Sequence, residues 1–331
     1  MLKEKKRGNE RKETHNLKMS RWAFNFERWQ PTEAEWSAAL ALVSPSEQDR
    51  IGRFKRPTRH AGLLVGRHNP DAKSALVGRL LILLAAAHHR PHAPLDALRF
   101  ERTPQGKPYL ALDAGESSGP VPTEHFNFNV SHAGAWVVLA AETTHLIGVD
   151  VMKVELRGSN PSLDQFFHDM RSCFTPLEWQ HIRQAPTDDA PQQLDRFFRH
   201  WTLKEAYIKA VGIGLGFDLQ RAQFRCREVA DGGGRGLCAT ATVEIDGAER
   251  REWTFELEYL DPHHLVAVAR GPFAQALDGY RQAIGVPEEE EDEDEEEATE
   301  AHRPEEEERP YRAWREWTFE ELMRHITQRQ H

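Results

Sequence analysis

The apolar and polar positions of this chain fall into blocks whose period changes along its length. Residues 71–90 (DAKSALVGRLLILLAAAHHR) open on an acidic turn, are apolar nearly all round and stop at a His-His-Arg-Pro run, which predicts a long buried helix at the centre of a first lobe. Residues 126–130, 137–141 and 147–151 are short β-branched or aromatic runs between turn signals and predict adjacent strands. Residues 163–174 and 194–211 read as helices. Beyond Gly212, strand-like segments return at 239–245, 253–259 and 265–269. The whole is an α+β pattern with mostly antiparallel sheets, and two lobes of about equal size fit it.

The ends follow different rules. Residues 1–19 are charged and nearly free of core formers, so they are expected to form a disordered basic arm. Residues 286–331 contain ten consecutive carboxylates at 288–297 and four more at 305–308, which predicts an acidic disordered tail. Within that tail, Trp314, Trp317, Phe319, Leu322 and Ile326 stand at roughly helical spacing, as a terminal helix that docks or stays loose. Deleting 286–331 is expected to leave activity largely intact. The lobes are expected at 20–130 and 131–285, with an insertion at 55–70.

The net charge of −10 over 331 residues is unevenly distributed. The tail holds 18 acidic and 6 basic residues, the arm 3 acidic and 7 basic, and the body at 20–285 is balanced at 32 against 30. A nucleic-acid-binding domain would be strongly basic, so that class is excluded. The longest apolar run, residues 80–87, falls short of the roughly 20 residues of a membrane-spanning helix, and the first residues lack a secretory apolar stretch. Three cysteines, Cys173, Cys226 and Cys238, form neither a disulfide framework nor a metal spacing. The expectation is a cytoplasmic, reduced protein.

Three polar clusters carry candidate chemistry. Arg102-Thr103-Pro104-Gln105-Gly106-Lys107-Pro108 is a turn with two cations and a glycine, suited to phosphate or to an ordinary solvated loop. Asn127-Phe128-Asn129-Val130-Ser131-His132 leads to Gly148-Val149-Asp150, where a carboxylate interrupts an apolar strand and needs a cation or a metal. His132 is equally readable as a satisfied structural histidine, and the elbow glycines of a serine hydrolase are absent. In the third cluster, Trp201 to Gly212, Glu205 and Lys209 share one helix face. They form either an exposed ion pair or, given their apolar neighbours, the wall of a cleft.

Gly148-Val-Asp150 together with Trp201-x-x-Lys204-Glu205-Ala-Tyr-x-Lys209-Ala-x-Gly212 resembles the paired signature of the 4′-phosphopantetheinyl transferase superfamily. Phe126 to His132, the Arg102–Pro108 turn and Arg21-Trp-Ala-Phe24 are similar to its animal type, over about residues 20–275. The resemblance implies two similar lobes related by a pseudo-twofold, with coenzyme A in the cleft between them. It implies transfer of 4′-phosphopantetheine to a serine of an apo acyl or peptidyl carrier domain, of the fatty acid synthase and aminoadipate-semialdehyde dehydrogenase type, by a monomer that releases adenosine 3′,5′-bisphosphate.

By the same resemblance, Asp150 and Glu205 are Mg²⁺ ligands, and Glu205 or a water it holds accepts the serine proton. Lys209 meets the pyrophosphate, with Lys204 as a neighbour. Arg50, Arg102, Thr103, Gln105, Gly106, Lys107, Asn129, Val130, Ser131 and His132 match coenzyme A-contacting positions. Met152 stands where many bacterial relatives carry a further acid, and Ala133 where glutamine is expected. The missing glutamine leaves a second reading, a non-catalytic module that binds coenzyme A or carrier proteins. Arg53, Lys55, Arg56, Arg59 and Arg67, in or beside the insertion, are candidates for a cationic rim facing an acidic carrier.

Overall fold

In the computed structural model, residues 19–57, 63–112, 125–156, 162–184, 189–229, 237–287 and 313–329 are described. The first half carries β1 (Met19–Asn25), α1 (Glu33–Leu40), α2 (Pro45–Gly52), β2 (Lys55–Pro57), β3 (Leu63–Val65), α3 (Pro70–His89), β4 (Phe100–Arg102) and β5 (Pro108–Leu110). The hairpin β6 (Asn127–Ala133) and β7 (Trp136–Glu142) follows, then β8 (Leu146–Lys153), α4 (Leu163–Asp169), α5 (Pro176–Ile182) and α6 (Ala190–Val211). The chain continues through β9 (Ala222–Glu228), β10 (Leu237–Ile245), β11 (Ala248–Glu249), β12 (Thr254–Asp261), β13 (His264–Gly271) and α7 (Asp278–Ala283) to β14 (Arg315–Glu316) and α8 (Phe319–Thr327). Among the described residues, no helix is long and apolar enough to cross a membrane.

Each lobe is a mostly antiparallel sheet with one long helix laid across it, the repeated plan expected of an α+β protein of two lobes. The first sheet runs β14-β1-β7-β6 and the second β11-β10-β12-β13-β8, with β9 on β10. Helix α3 starts where Asn69 accepts the free N–H groups of Asp71 and Ala72 and Pro70 presets the first turn. It needs no polar face, because the first sheet, α2 and α8 cover it. Helix α6 is capped by Asp189 and ends at Gly212, whose φ of 84° is left-handed. A third apolar layer, including Ala23, Val138, Ile147, Val149 and Val268, joins the two sheets. Arg21 of β1 crosses that layer to Glu256 at 2.6 Å and Glu258 at 3.0 Å on β12.

The structure extends some sequence readings and corrects others. The hairpin β6–β7 pairs with β1, so the first sheet runs to residue 142, past the boundary placed between 130 and 131. Strand β1 gives no alternating signal because Trp22, Ala23 and Phe24 are buried on both of its faces. Over 55–70 the chain forms the β2–β3 hairpin, a turn at Gly66–His68 and the start of α3. The basic arm lies outside the described residues except for Met19, which opens β1, and so do both acidic runs of the tail.

The end of the chain is not dispensable to the fold. Strand β14 pairs parallel with β1, Trp317 donates its backbone N–H to Ala23 at 2.9 Å, and Trp317, Leu322 and Ile326 are buried in the first core. Trp22 meets Trp317 edge to face, and Trp29 stacks on Phe319 at 4.5 Å. A capping box of Thr318 and Glu321 starts α8. Phe319, Leu322 and Ile326 lie on the expected terminal helix, whereas Trp314 and Trp317 precede it around β14, and removal of 286–331 would take part of the first core with it. Trp317→Ala is expected to cost about 3–5 kcal/mol, and truncation before residue 313 to lower the melting temperature further, both read by calorimetry.

The same seam makes stability acid-sensitive. Burial, then the charges of Arg329, His325 and Arg315, holds His88 down to about 4 from 6.5. Above pH 6.5 the ring is neutral whether the chain is folded or not. As pH falls toward 4, the unfolded chain takes up the proton first, so stability is lost across that window. His88→Leu should flatten that part of a stability–pH curve measured by urea unfolding.

Candidate active site

Strand β8 lies at the edge of the second sheet, and its free N–H groups are met by side chains rather than by a backbone ladder. Asn127 Oδ1 accepts from Ile147 at 2.9 Å, Asn129 Oδ1 from Val149 at 2.9 Å, and Ser131 Oγ from Val151 at 3.3 Å. Alternate residues of β6 share a face, so one polar residue at every second position reaches every second amide of β8. His132, on the opposite face, is exposed at the surface, yet its crowded surroundings and then the Lys209 ammonium push its pKa down, against Asp71 and Asp150. Val130 packs toward Gly78 of α3.

Ser131 ends this ladder and starts the polar site. Its hydroxyl donates to Asp150 Oδ1 at 2.7 Å and accepts from Lys209 Nζ at 3.0 Å, which, with the Val151 N–H, uses its one hydrogen and both lone pairs. Lys209 Nζ also reaches Asp150 Oδ1 at 2.6 Å. Asp150 is 3% exposed, and its Oδ2 has no partner among the described residues.

Helix α6 brings Glu205 and Lys209 to this point because it lies directly on β8. A Cβ at Gly148 would stand 1.9 Å from the Ala206 carbonyl oxygen and 2.6 Å from the Ala210 nitrogen, so only glycine permits the approach. Burial, then the Asp150 carboxylate, raises the pKa of Glu205, while Lys209 opposes them. The result is a carboxylate that holds a proton more readily than an exposed glutamate does.

The 102–107 turn sits against the C-terminal end of α6. Thr103 N–H donates to the Lys107 carbonyl at 2.9 Å, Gly106 N–H to the Thr103 carbonyl at 2.8 Å, and Lys107 N–H to Thr103 Oγ1 at 3.2 Å. Gln105 lies beside Gly214, and Gly106 has a φ of 89°. Arg102 reaches the Gly106 carbonyl at 2.9 Å, and with Arg50 and Arg79 it surrounds Glu47, at 3.7, 3.5 and 2.7 Å. Glu47, Arg79 and Arg102 line a cavity of about 580 Å³ together with Leu42, Ile82, Leu98, Phe100 and Phe128.

Two lysines lie elsewhere than their motif positions suggest. Lys204 points into the second core, pairing with Glu178 at 2.8 Å and donating to the Leu219 carbonyl at 2.6 Å, so it is no neighbour of a pyrophosphate beside Lys209. Adjacent residues on a helix diverge by about 100°. The Lys107 ammonium is likewise turned inward, onto the carbonyls of Lys209 and Ala210. Arg67 of the suggested rim pairs with Glu33 at 2.9 Å, while the side chains of Lys55, Arg56 and Arg59 lie outside the described residues. Sequence reading placed Asn127 in a polar cluster but not among the site residues, and passed over Glu47 and Arg79. The alternation Asn127-x-Asn129-x-Ser131 was a signal for the first, and neither of the others belongs to a motif.

A buried carboxylate with an oxygen unpartnered among the described residues, a second carboxylate and an ammonium thus meet at the seam of the two lobes. The chain belongs to the 4′-phosphopantetheinyl transferase superfamily: residues 27–144 match the family described as 4′-phosphopantetheinyl transferase, N-terminal, and residues 146–269 match the superfamily itself. The two matches part between β7 and β8. Among its relatives is the L-aminoadipate-semialdehyde dehydrogenase-phosphopantetheinyl transferase of Mus musculus, 43% identical over 249 residues, or 75% of this chain and 74% of that protein. A phosphopantetheinyl transferase of Thraustochytrium is 37% identical over 75% of this chain and 77% of its own. The 4′-phosphopantetheinyl transferase of Bacillus subtilis is 29% identical over 57% and 69%.

Gly148→Ala is expected to force α6 off β8 and separate Glu205 and Lys209 from Asp150. Transfer should then fall by at least about 10²-fold, the scale of a 1 Å misplacement, with the far-ultraviolet circular dichroism spectrum retained.

Proposed function

We propose that the protein transfers the 4′-phosphopantetheine group of coenzyme A to a serine hydroxyl of an apo acyl or peptidyl carrier domain. The observation that carries this reading is the meeting of Asp150, Lys209 and Glu205 at the seam, with Asp150 Oδ2 buried and free. The cosubstrate lies between the lobes in this reading, its anionic groups toward Lys209, His132 and the guanidiniums of Arg50 and Arg102. The backbone of the Thr103–Lys107 turn lines the same cleft.

Asp150 and Glu205 fit a hard divalent cation such as Mg²⁺, because a buried carboxylate oxygen without a donor is costly until a cation meets it. Two carboxylates rather than three suit an ion that retains several waters, and Met152 adds no ligand. When bound, the ion supplies neutralisation of charge on the pyrophosphate. Lys209, fixed by Ser131 and Asp150, adds a positive charge at the same place. Glu205, with its raised pKa, accepts the proton of the carrier serine as the serine oxygen forms its bond to the phosphorus. The phosphoanhydride bond breaks, and adenosine 3′,5′-bisphosphate leaves with the bond electrons.

The mouse relative's name points to aminoadipate-semialdehyde dehydrogenase as one acceptor class, and a fatty acid synthase carrier domain is the other we infer. A complete site within one chain suits a monomer, and Cys173, which forms no disulfide among the described residues, suits a reducing cytoplasm.

The test is incubation with coenzyme A, Mg²⁺ and an apo carrier protein, followed by mass spectrometry of the carrier. A mass gain of one phosphopantetheine supports the reading, whereas coenzyme A binding without modification would make the chain a binding module. Glu205→Gln should lower kcat by roughly 10²–10⁴-fold and Asp150→Asn should abolish the response to Mg²⁺, both with an unchanged fold. Near wild-type rates across a Mg²⁺ titration would remove the metal assignment.

A further inference from the structure

Lys107 occupies an unusual position. It is 7% exposed although its charge is unpaired by any carboxylate among the described residues, and burial alone pushes its pKa well below that of an ordinary lysine. Its ammonium donates to the carbonyls of Lys209 and Ala210, and the Tyr280 ring covers it at 4.2 Å from the centroid. Its stem closes over the left-handed Gly212, where a Cβ would stand 3.2 Å from Lys107 Cδ. The last carbonyls of a helix have no partner within it, and here a side chain from the opposite lobe satisfies two of them.

The backbone of the same residue is fixed as well. The Thr103 N–H and hydroxyl hold the Lys107 carbonyl and N–H, closing the turn that projects from the β4–β5 hairpin. Lys107 therefore joins a rigid turn of the first lobe to the last turn of the helix that carries Glu205 and Lys209. Lys209 is held at both ends, by its carbonyl on Lys107 and by its ammonium on Asp150 and Ser131. A slide or rotation of α6 that displaced the ammonium would have to break the first contact too.

Resting on the proposed transferase reading, we propose that Lys107 is a positioning residue: its ammonium, seated on the Lys209 and Ala210 carbonyls, fixes where helix α6 presents Glu205 and Lys209 to the reacting phosphate, and does not itself bind the cosubstrate. A lysine clamping coenzyme A and a lysine holding the helix have different kinetic signatures. Loss of a clamp removes binding common to ground and transition states and raises KM, whereas loss of alignment lowers kcat.

The experiment compares wild type with Lys107→Met, which keeps the stem and removes the donors, in steady-state transfer from coenzyme A to an apo carrier protein. The expected result is a kcat lowered about 10- to 100-fold, a KM for coenzyme A within about threefold, and faster amide hydrogen exchange at Val211 and Gly212 but not along β8. Gly212→Ala, which displaces the Lys107 stem without touching its ammonium, should give the same kcat-selective loss and serves if Lys107→Met does not fold. A raised KM for coenzyme A with kcat preserved would make Lys107 a cosubstrate clamp and overturn the inference, as would unchanged kinetics in both variants. Wild type that fails to modify any carrier would instead overturn the transferase reading itself.

Discussion

The seam between β6 and β8 governs the rest of the molecule. Two sheet edges meet there without a backbone ladder, and the buried amides of β8 would each cost about 1–3 kcal/mol if left unpaired. Asn127, Asn129 and Ser131 supply the missing acceptors. A side-chain rung is longer than a backbone rung, so the sheets are joined while their edges remain apart. The third rung is a hydroxyl that can still donate, and it gives that hydrogen to Asp150. The device that satisfies the edge of one sheet thus orients the carboxylate at the centre of the site.

From that constraint the remaining contacts follow in sequence. Asp150 is held on the face of β8 that α6 covers, and Gly148 lets the helix come close enough for Lys209 to reach it. Glu205, one turn earlier, enters the same field and is made more basic by burial and by Asp150. On the far side, Arg21 with Glu256 and Glu258 ties the two sheets through a buried ion pair. Such a pair contributes little net stability beside an apolar contact, but removal of one partner strands the other, so it constrains how the lobes sit.

The C-terminal segment shows that lobe membership is not set by chain order. After the second lobe is complete, the chain returns to the first, adds a parallel strand to β1 and fills a gap between Trp22, Trp29 and α3. The first lobe therefore depends on both ends of the polypeptide. Burial in this docked core, and then the cations beside it, lower the pKa of His88 and link the closure of the lobe to pH.

By itself, the sequence determined the local features: the long apolar helix at 71–90, the strands around 126–151, the α+β alternation, and the shared helix face of Glu205 and Lys209. Each rests on a period, a cap or a motif contained in a short window. It did not determine directions and partners, which depend on contacts between residues far apart in the chain. Lys204 and Glu205 are neighbours, yet the turn of α6 sends one to Glu178 and the other to Asp150's side of the helix. Lys107 carries a motif's charge, but the tertiary structure turns it onto helix carbonyls 102 and 103 positions away. Likewise, Trp317 and Leu322 read as helix-forming in their window, and only the open side of the first core, built from residues some 300 positions earlier, decides that they are buried.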